Sequence, residues 1–334
     1  MANRRGACAS YLPEFGHAMT DCFWRGTWNS SGMALPGRFV LPVFLLVLIL
    51  GAMVLGPVIY AGCAAVLPQP VPFHRAMDRA LLISAVAALG LFWPRIPLAQ
   101  LWPWNSGAWK QLLLGYFIAA VSMQAMIGAY LALVGFTSAH LSAGQVAGRV
   151  VLALVAALLA PPLEETVFRG FLQRELGQGL GWRAGWLLAA AIYMVAHFLK
   201  IPVELDHEPV HWWSGFGAVG AAFTNLGNDL ARTENLGKAV NLFLIGLILG
   251  GTFLRAGHLW MNAGLHSGWI FGLLLFTGLT RPVEAQSGSW PGGDILSNPS
   301  TTLVLLLLGV WLWRFYRHPS ISPEPTRGTG SSAD

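Results

Sequence analysis

The sequence predicts an all-α protein, a polytopic transmembrane helical bundle of about eight spans, and three observations carry that prediction. Hydrophobic residues make up 55% of the 334-residue chain and charged residues only 10%, against about 25% charged in an ordinary soluble domain. The apolar residues are gathered into runs long enough for a helix to cross about 30 Å of hydrocarbon, which takes about 20 residues at 1.5 Å each. Tryptophans, among them Trp102, Trp109, Trp182, Trp186, Trp212 and Trp313, collect near the ends of those runs, where an amphipathic ring settles at headgroup level.

The first run, at 39–66, follows a polar N-terminal tail over 1–37 that contains Arg4, Arg5, Asp21 and Arg25. No cleavable signal precedes it, and Arg4 and Arg5 stand too far from it for a twin-arginine signal, so the run reads as its own insertion signal. Seven further runs lie near 80–98, 112–136, 147–175, 185–200, 238–255, 258–278 and 301–316, which together with the first make a helical domain over 38–317. The stretch 318–334, rich in Ser, Pro and Gly, reads as a disordered tail. Cys8, Cys22 and Cys63 are odd in number and lack metal-like spacing, so neither a disulfide framework nor a cysteine metal site is expected.

A net charge of +5 would suit nucleic acid, but the basic residues are scattered through short loops and both tails and read as topology signals instead. No nucleic-acid partner is expected; the bilayer is. An even number of spans puts both termini on one side, and most of the 20 Lys and Arg residues fall on that side, which predicts cytoplasmic termini. With no organelle signal, a bacterial inner membrane is the expected home.

Ionisable residues at membrane depth cost about 2.5–3.5 kcal/mol each even on the lenient insertion scale and need a reason. The fourth run contains PPLEETVFRG, with Glu164, Glu165 and Arg169 together. Glu165 and Arg169 share a helical face four residues apart, an ion-pair spacing, whereas Glu164 is rotated about 100° away and lacks that partner. Glu164 is therefore the better base. The fifth run carries His197 near its distal end. If the chain turns at Gly177 to Gly181, Glu164 and His197 lie nearly equal numbers of residues from the bend, so two antiparallel helices hold them level. In FLRAGHLWMNAGLHSGWIFG, Arg255, Gly257 and His258 mark a bend at which His258 reads as interfacial, and His266 lies deeper with Asn262 on the same face. Glycines at 257, 264 and 268 would allow close backbone approach.

Carboxylate, imidazole and amide groups at membrane depth can activate water and bind an oxyanion, which is the chemistry of peptide hydrolysis. Two arrangements fit the same residues. In one, Glu164, His197 and His266 hold a divalent metal such as Zn2+ with an open water position and Glu165 assists as base. In the other, Glu164 and His197 polarise the water directly and His266 stabilises the oxyanion. A literal HEPVH at 207–211 matches the zincin string, but Pro209 opposes the helix that such a site requires, so a loop is expected there.

At these residues the chain resembles the CPBP family of intramembrane proteases, which includes the type II CAAX prenyl endopeptidases and bacteriocin-processing or immunity proteins. The resemblance rests on Glu164, Glu165 and Arg169, then Tyr193 and His197, then His266, in that order, and covers a core at 147–275. It implies an endopeptidase that cuts a membrane-tethered substrate at a CAAX-type C-terminal tail or a leader peptide. Tyr193 stands where phenylalanine is usual, a change of small expected consequence. Ile270 stands where many members place an asparagine that the resemblance would make an oxyanion donor, and Asn262 or Ser267 is the nearby substitute. Two other classes stay open. A non-catalytic scaffold or bacteriocin-immunity protein gains weight from Ile270, and a proton-coupled transporter would also keep carboxylates and histidines at membrane depth, although no repeat of two related halves is visible.

Overall fold

The computed structural model describes residues 37–68, 71–92, 96–133, 136–207, 209–282 and 294–316. The N-terminal tail up to residue 36, with Cys8 and Cys22, lies outside the described residues, as do Glu208 of the HEPVH string and the tail from 318 to 334.

Each predicted run has its helix. The first two, α1 (Gly37–Val66) and α2 (Phe73–Leu91), pack as an antiparallel hairpin. Gly51 of α1 sits on Ser84 of α2, and Gly56 sits on Met77. The helix α2 begins and ends earlier than the predicted 80–98: it starts directly after Pro72 and stops at Leu91, ahead of the Pro94 and Pro97 of the sequence. A single turn, α3 (Leu98–Leu101), leads to α4 (Ser106–Leu133) and a short strand β1 (Phe136–Ser138).

The next helix, α5 (Ala143–Glu165), is opened by a capping box in which Ser142 and Gln145 satisfy each other's backbone N–H groups. It runs without interruption through a π-helical stretch, Thr166–Gln173, into α6 (Arg174–Leu180). The chain then reverses at Gly181, whose φ of 88° suits glycine, and returns as α7 (Trp182–Phe198). A β-carbon on Gly185 would strike the backbone of Gly177. These glycines hold α6 and α7 close at the bend expected between Gly177 and Gly181.

A helix outside the eight predicted runs follows: α8 (Ser214–Ala231), packed mainly on α1. Then come α9 (Leu236–Ala256), α10 (Trp260–Leu279), β2 (Thr280–Pro282), which pairs antiparallel with β1, and α11 (Pro299–Phe315), capped by Asn298. Among the described residues, four helical stretches are long and apolar enough to cross a membrane: Val40–Val66, Gly107–Leu133, Ala143–Leu180 and Thr233–Ala256. The protein is an all-α helical bundle of integral-membrane character, with a two-stranded sheet as its one sheet among the described residues.

Around α10 the bundle is tight because its face to α4 is glycine. Gly264 lies against the backbone of Leu112 and Tyr116, and Gly268 against Tyr116 and Ala119, while Gly115 of α4 returns the contact at Met261. Close approach of backbones at small residues is how membrane helices gain packing energy. Gly257 does something different from what was expected: no atom lies near its missing β-carbon, and its φ of 71° caps α9 instead. His258, expected at the interface, is buried. The bend is pinned by the Leu259 N–H donating to the Leu101 carbonyl at 2.8 Å.

Candidate active site

Three helices bring the ionisable groups together. The end of α5 supplies Glu164 and Glu165, the π-helical stretch supplies Arg169, and α10 supplies Asn262 and His266. Because α10 is drawn onto α5, with Ser267 Oγ donating to the Ala157 carbonyl at 2.7 Å, His266 arrives level with the two glutamates.

The two adjacent carboxylates have unequal surroundings. Glu165 is fully buried. Its Oε1 accepts from Arg169 Nη1 at 3.1 Å and from His266 Nδ1 at 2.8 Å, and its Oε2 accepts from Asn262 Nδ2 at 3.4 Å. Glu164 is 31% exposed along its side chain, its Oε2 accepts no hydrogen bond, and the nearest cationic atom is His266 Nε2 at 3.7 Å. A carboxylate can only accept, so the bond to Glu165 places a proton on Nδ1 of His266 and leaves Nε2 as the working nitrogen.

His197 reaches this cluster through Tyr193, one turn earlier on α7. Its Nδ1 donates to the Tyr193 carbonyl at 2.8 Å, and its ring lies 4.3 Å from the Tyr193 ring. That bond leaves Nε2 as its free lone pair. The Tyr193 hydroxyl lies 3.4 Å from His266 Nε2, and the Arg169 guanidinium sits 4.6 Å above the centre of the Tyr193 ring. Sequence reasoning passed over that hydroxyl. Its signal was the four-residue spacing from His197, which put both on one face.

The supporting groups are bonded in turn, although Arg169 Nη2 and Asn262 Oδ1 make no hydrogen bond. Asn262 Nδ2 also donates to the Leu249 carbonyl of α9, Thr166 Oγ1 donates to the Pro162 carbonyl at 2.7 Å, and Trp102 Nε1 donates to Thr166 Oγ1 at 3.1 Å. The π-helical stretch lies directly under the motif, and such segments recur at functional sites.

Of the donors that a metal arrangement would use, Glu164 Oε2 and His266 Nε2 face each other. Among the described residues, however, no three His, Cys, Asp or Glu side chains are gathered as a ligand group. The donor set does not fit a three-ligand zinc site, which would need all three protein ligands on one ion. Among its described residues the HEPVH string forms no α-helix: residues 203–207 make a 3-10 helix that ends at His207, and His211 stacks on Trp213. The two imidazoles of a zincin need one helical face, and this segment provides none.

Residues 146–272 match the family model described as type II CAAX prenyl endopeptidase Rce1-like. The matched segment contains Glu164, Glu165, Arg169, Tyr193, His197 and His266, the residues on which the resemblance rests, and Asn262 beside them. No curated protein matches the chain.

Proposed function

We propose, from that family match together with the site's geometry, that the protein is an intramembrane endopeptidase that hydrolyses a membrane-tethered peptide at a CAAX-type tail. The observation that carries this reading is the division of labour between adjacent carboxylates. Glu165 is saturated by Arg169, His266 and Asn262, while Glu164 keeps an unbonded oxygen beside His266 Nε2. Structural carboxylates are satisfied, and a buried acceptor left unsatisfied asks for an explanation.

Glu164 serves as general base, taking the proton of a water as its oxygen bonds to the scissile carbonyl carbon. His197, held through Nδ1 by the Tyr193 carbonyl, orients that water with its Nε2 lone pair. His266, held through Nδ1 by Glu165, presents Nε2–H in its protonated form to the oxygen that gains charge. As the carbon–nitrogen bond breaks, Glu164 returns the proton to the leaving amine. Arg169 neutralises Glu165, and Asn262 orients it.

The test uses purified protein in detergent and a synthetic peptide with a CAAX-type C-terminus, prepared with and without a lipid on its cysteine, with products read by mass spectrometry. Cleavage near the C-terminus of the lipidated peptide is expected. A protein that cleaves neither peptide, in detergent or in vesicles, overturns the reading in favour of a scaffold.

A further inference from the structure

An oxyanion in a membrane-depth site needs more than one donor, and most donors near His266 are already spent. Asn262 gives its amide to Glu165 and the Leu249 carbonyl. Ser267 gives its hydroxyl to Ala157, and Thr166 gives its own to Pro162. Arg169 is ion-paired to Glu165 through Nη1 and lies over the Tyr193 ring, and its buried Nη2 makes no hydrogen bond. Ile270, one turn beyond His266 on the same helical face, has nothing to donate.

One hydroxyl remains. Tyr193 is 2% exposed, and its oxygen lies 3.4 Å from His266 Nε2, longer than the usual 2.5–3.0 Å of a hydroxyl bond. At that length the hydroxyl is not committed to His266, so while His266 Nε2–H turns to the substrate oxygen the tyrosine's own proton is free to donate beside it, since a phenol both accepts and donates. The ring is packed by the Arg169 guanidinium, 4.6 Å from its centre, and by the His197 imidazole, whose centre lies 4.3 Å away. A donor fixed in this way costs little reorganisation as charge develops.

We propose that Tyr193 is a catalytic residue of this site, its hydroxyl donating to the substrate oxyanion beside His266 in the place that Ile270 leaves empty. This rests on the hydrolytic reading above. The hydroxyl makes no covalent bond: it donates a hydrogen bond as the carbonyl oxygen becomes negative, and the bond weakens as the carbon–nitrogen bond breaks.

Tyr193→Phe removes one oxygen and keeps the ring. Its kcat on the lipidated peptide should fall about a hundred- to a thousand-fold, the usual loss for one oxyanion donor, with KM within about two-fold and thermal unfolding in detergent unchanged. Adding Ile270→Asn to Tyr193→Phe should recover at least about ten-fold of that loss, because position 270 shares the His266 face. Glu164→Gln runs alongside. Full activity in Tyr193→Phe with a dead Glu164→Gln overturns the tyrosine's role and leaves the hydrolytic reading standing. A wild-type protein that cleaves no peptide overturns the hydrolytic reading and, with it, this inference, and equal cleavage by wild type and Glu164→Gln overturns the site assignment on which the inference rests. If Tyr193→Phe is unstable, kcat of Tyr193→Phe/Ile270→Asn decides: no recovery in a folded double variant counts against an oxyanion role.

Discussion

Replacing Arg169 with alanine would leave Glu165, fully buried, without its cation. The pair is short, at 3.1 Å, with both partners almost inaccessible to solvent, and breaking a buried pair typically costs about 3–5 kcal/mol. His266 and Asn262 still donate to Glu165 in the variant, which places the expected loss near the lower end, about 3 kcal/mol. At about 2–3 °C per kcal/mol for a chain of this size, the unfolding midpoint should fall by about 6–9 °C. Removing both charges, as Glu165→Gln with Arg169→Gln, leaves an amide oxygen to accept from His266 Nδ1 and no unpaired ion. That double variant should recover to within about 1 kcal/mol of wild type. The assay is thermal unfolding in detergent, with cleavage measured on the same samples. Recovered folding with lost cleavage makes Glu165 a working part of the site through its hold on His266, and recovered cleavage makes it structural. A double variant no more stable than Arg169→Ala would refute the pairing energetics.

Other expectations follow from the same geometry. Gly264→Ala places a β-carbon on the backbone of Leu112, so α4 and α10 must part and stability should fall by about 1–3 kcal/mol. Gly62→Ala, with open space at its β-carbon, should be neutral or up to about 1 kcal/mol stabilising; equal unfolding midpoints for the two variants would contradict the packing. Replacing His207 and His211 together should leave cleavage within about two-fold of wild type, because their segment has no helix to unite them, and abolished cleavage would return the site to that loop. Chelation with phenanthroline should leave the cleavage rate unchanged, as no three ligands are gathered. A chelation loss that zinc restores would make Glu164, His197 and His266 a metal site.

What the sequence could reveal was local or periodic. The Glu165–Arg169 pair is an i, i+4 relation and could be read directly, as could the bend at Gly181 that returns the chain as α7. The close packing at Gly264 and Gly268 followed from residue size. What escaped was set by tertiary contact or by weak hydropathy. The helix Ser214–Ala231 is interrupted by glycines and ends in Asn225, Asn228 and Asp229, so its apolar signal is diluted although its packing on α1 is real. The π-helical stretch Thr166–Gln173 has no signature in residue type. The His266–Glu165 bond and the Tyr193 hydroxyl beside His266 span 101 and 73 residues of chain, distances over which periodicity says nothing. Tyr193 therefore looked like a minor change from phenylalanine when its oxygen is the part that meets the site.

The most direct measurement is the cleavage rate of Glu164→Gln on the lipidated CAAX-type peptide, beside its unfolding midpoint. Glu164 makes no hydrogen bond through Oε2 and is partly exposed, so the midpoint should stay within about 2 °C of wild type, corresponding to at most about 1 kcal/mol. Loss of a general base typically costs about a hundred- to ten-thousand-fold in rate, and cleavage should drop by that factor or vanish. A folded Glu164→Gln protein that still cleaves at the wild-type rate would contradict the assignment of Glu164 as the base.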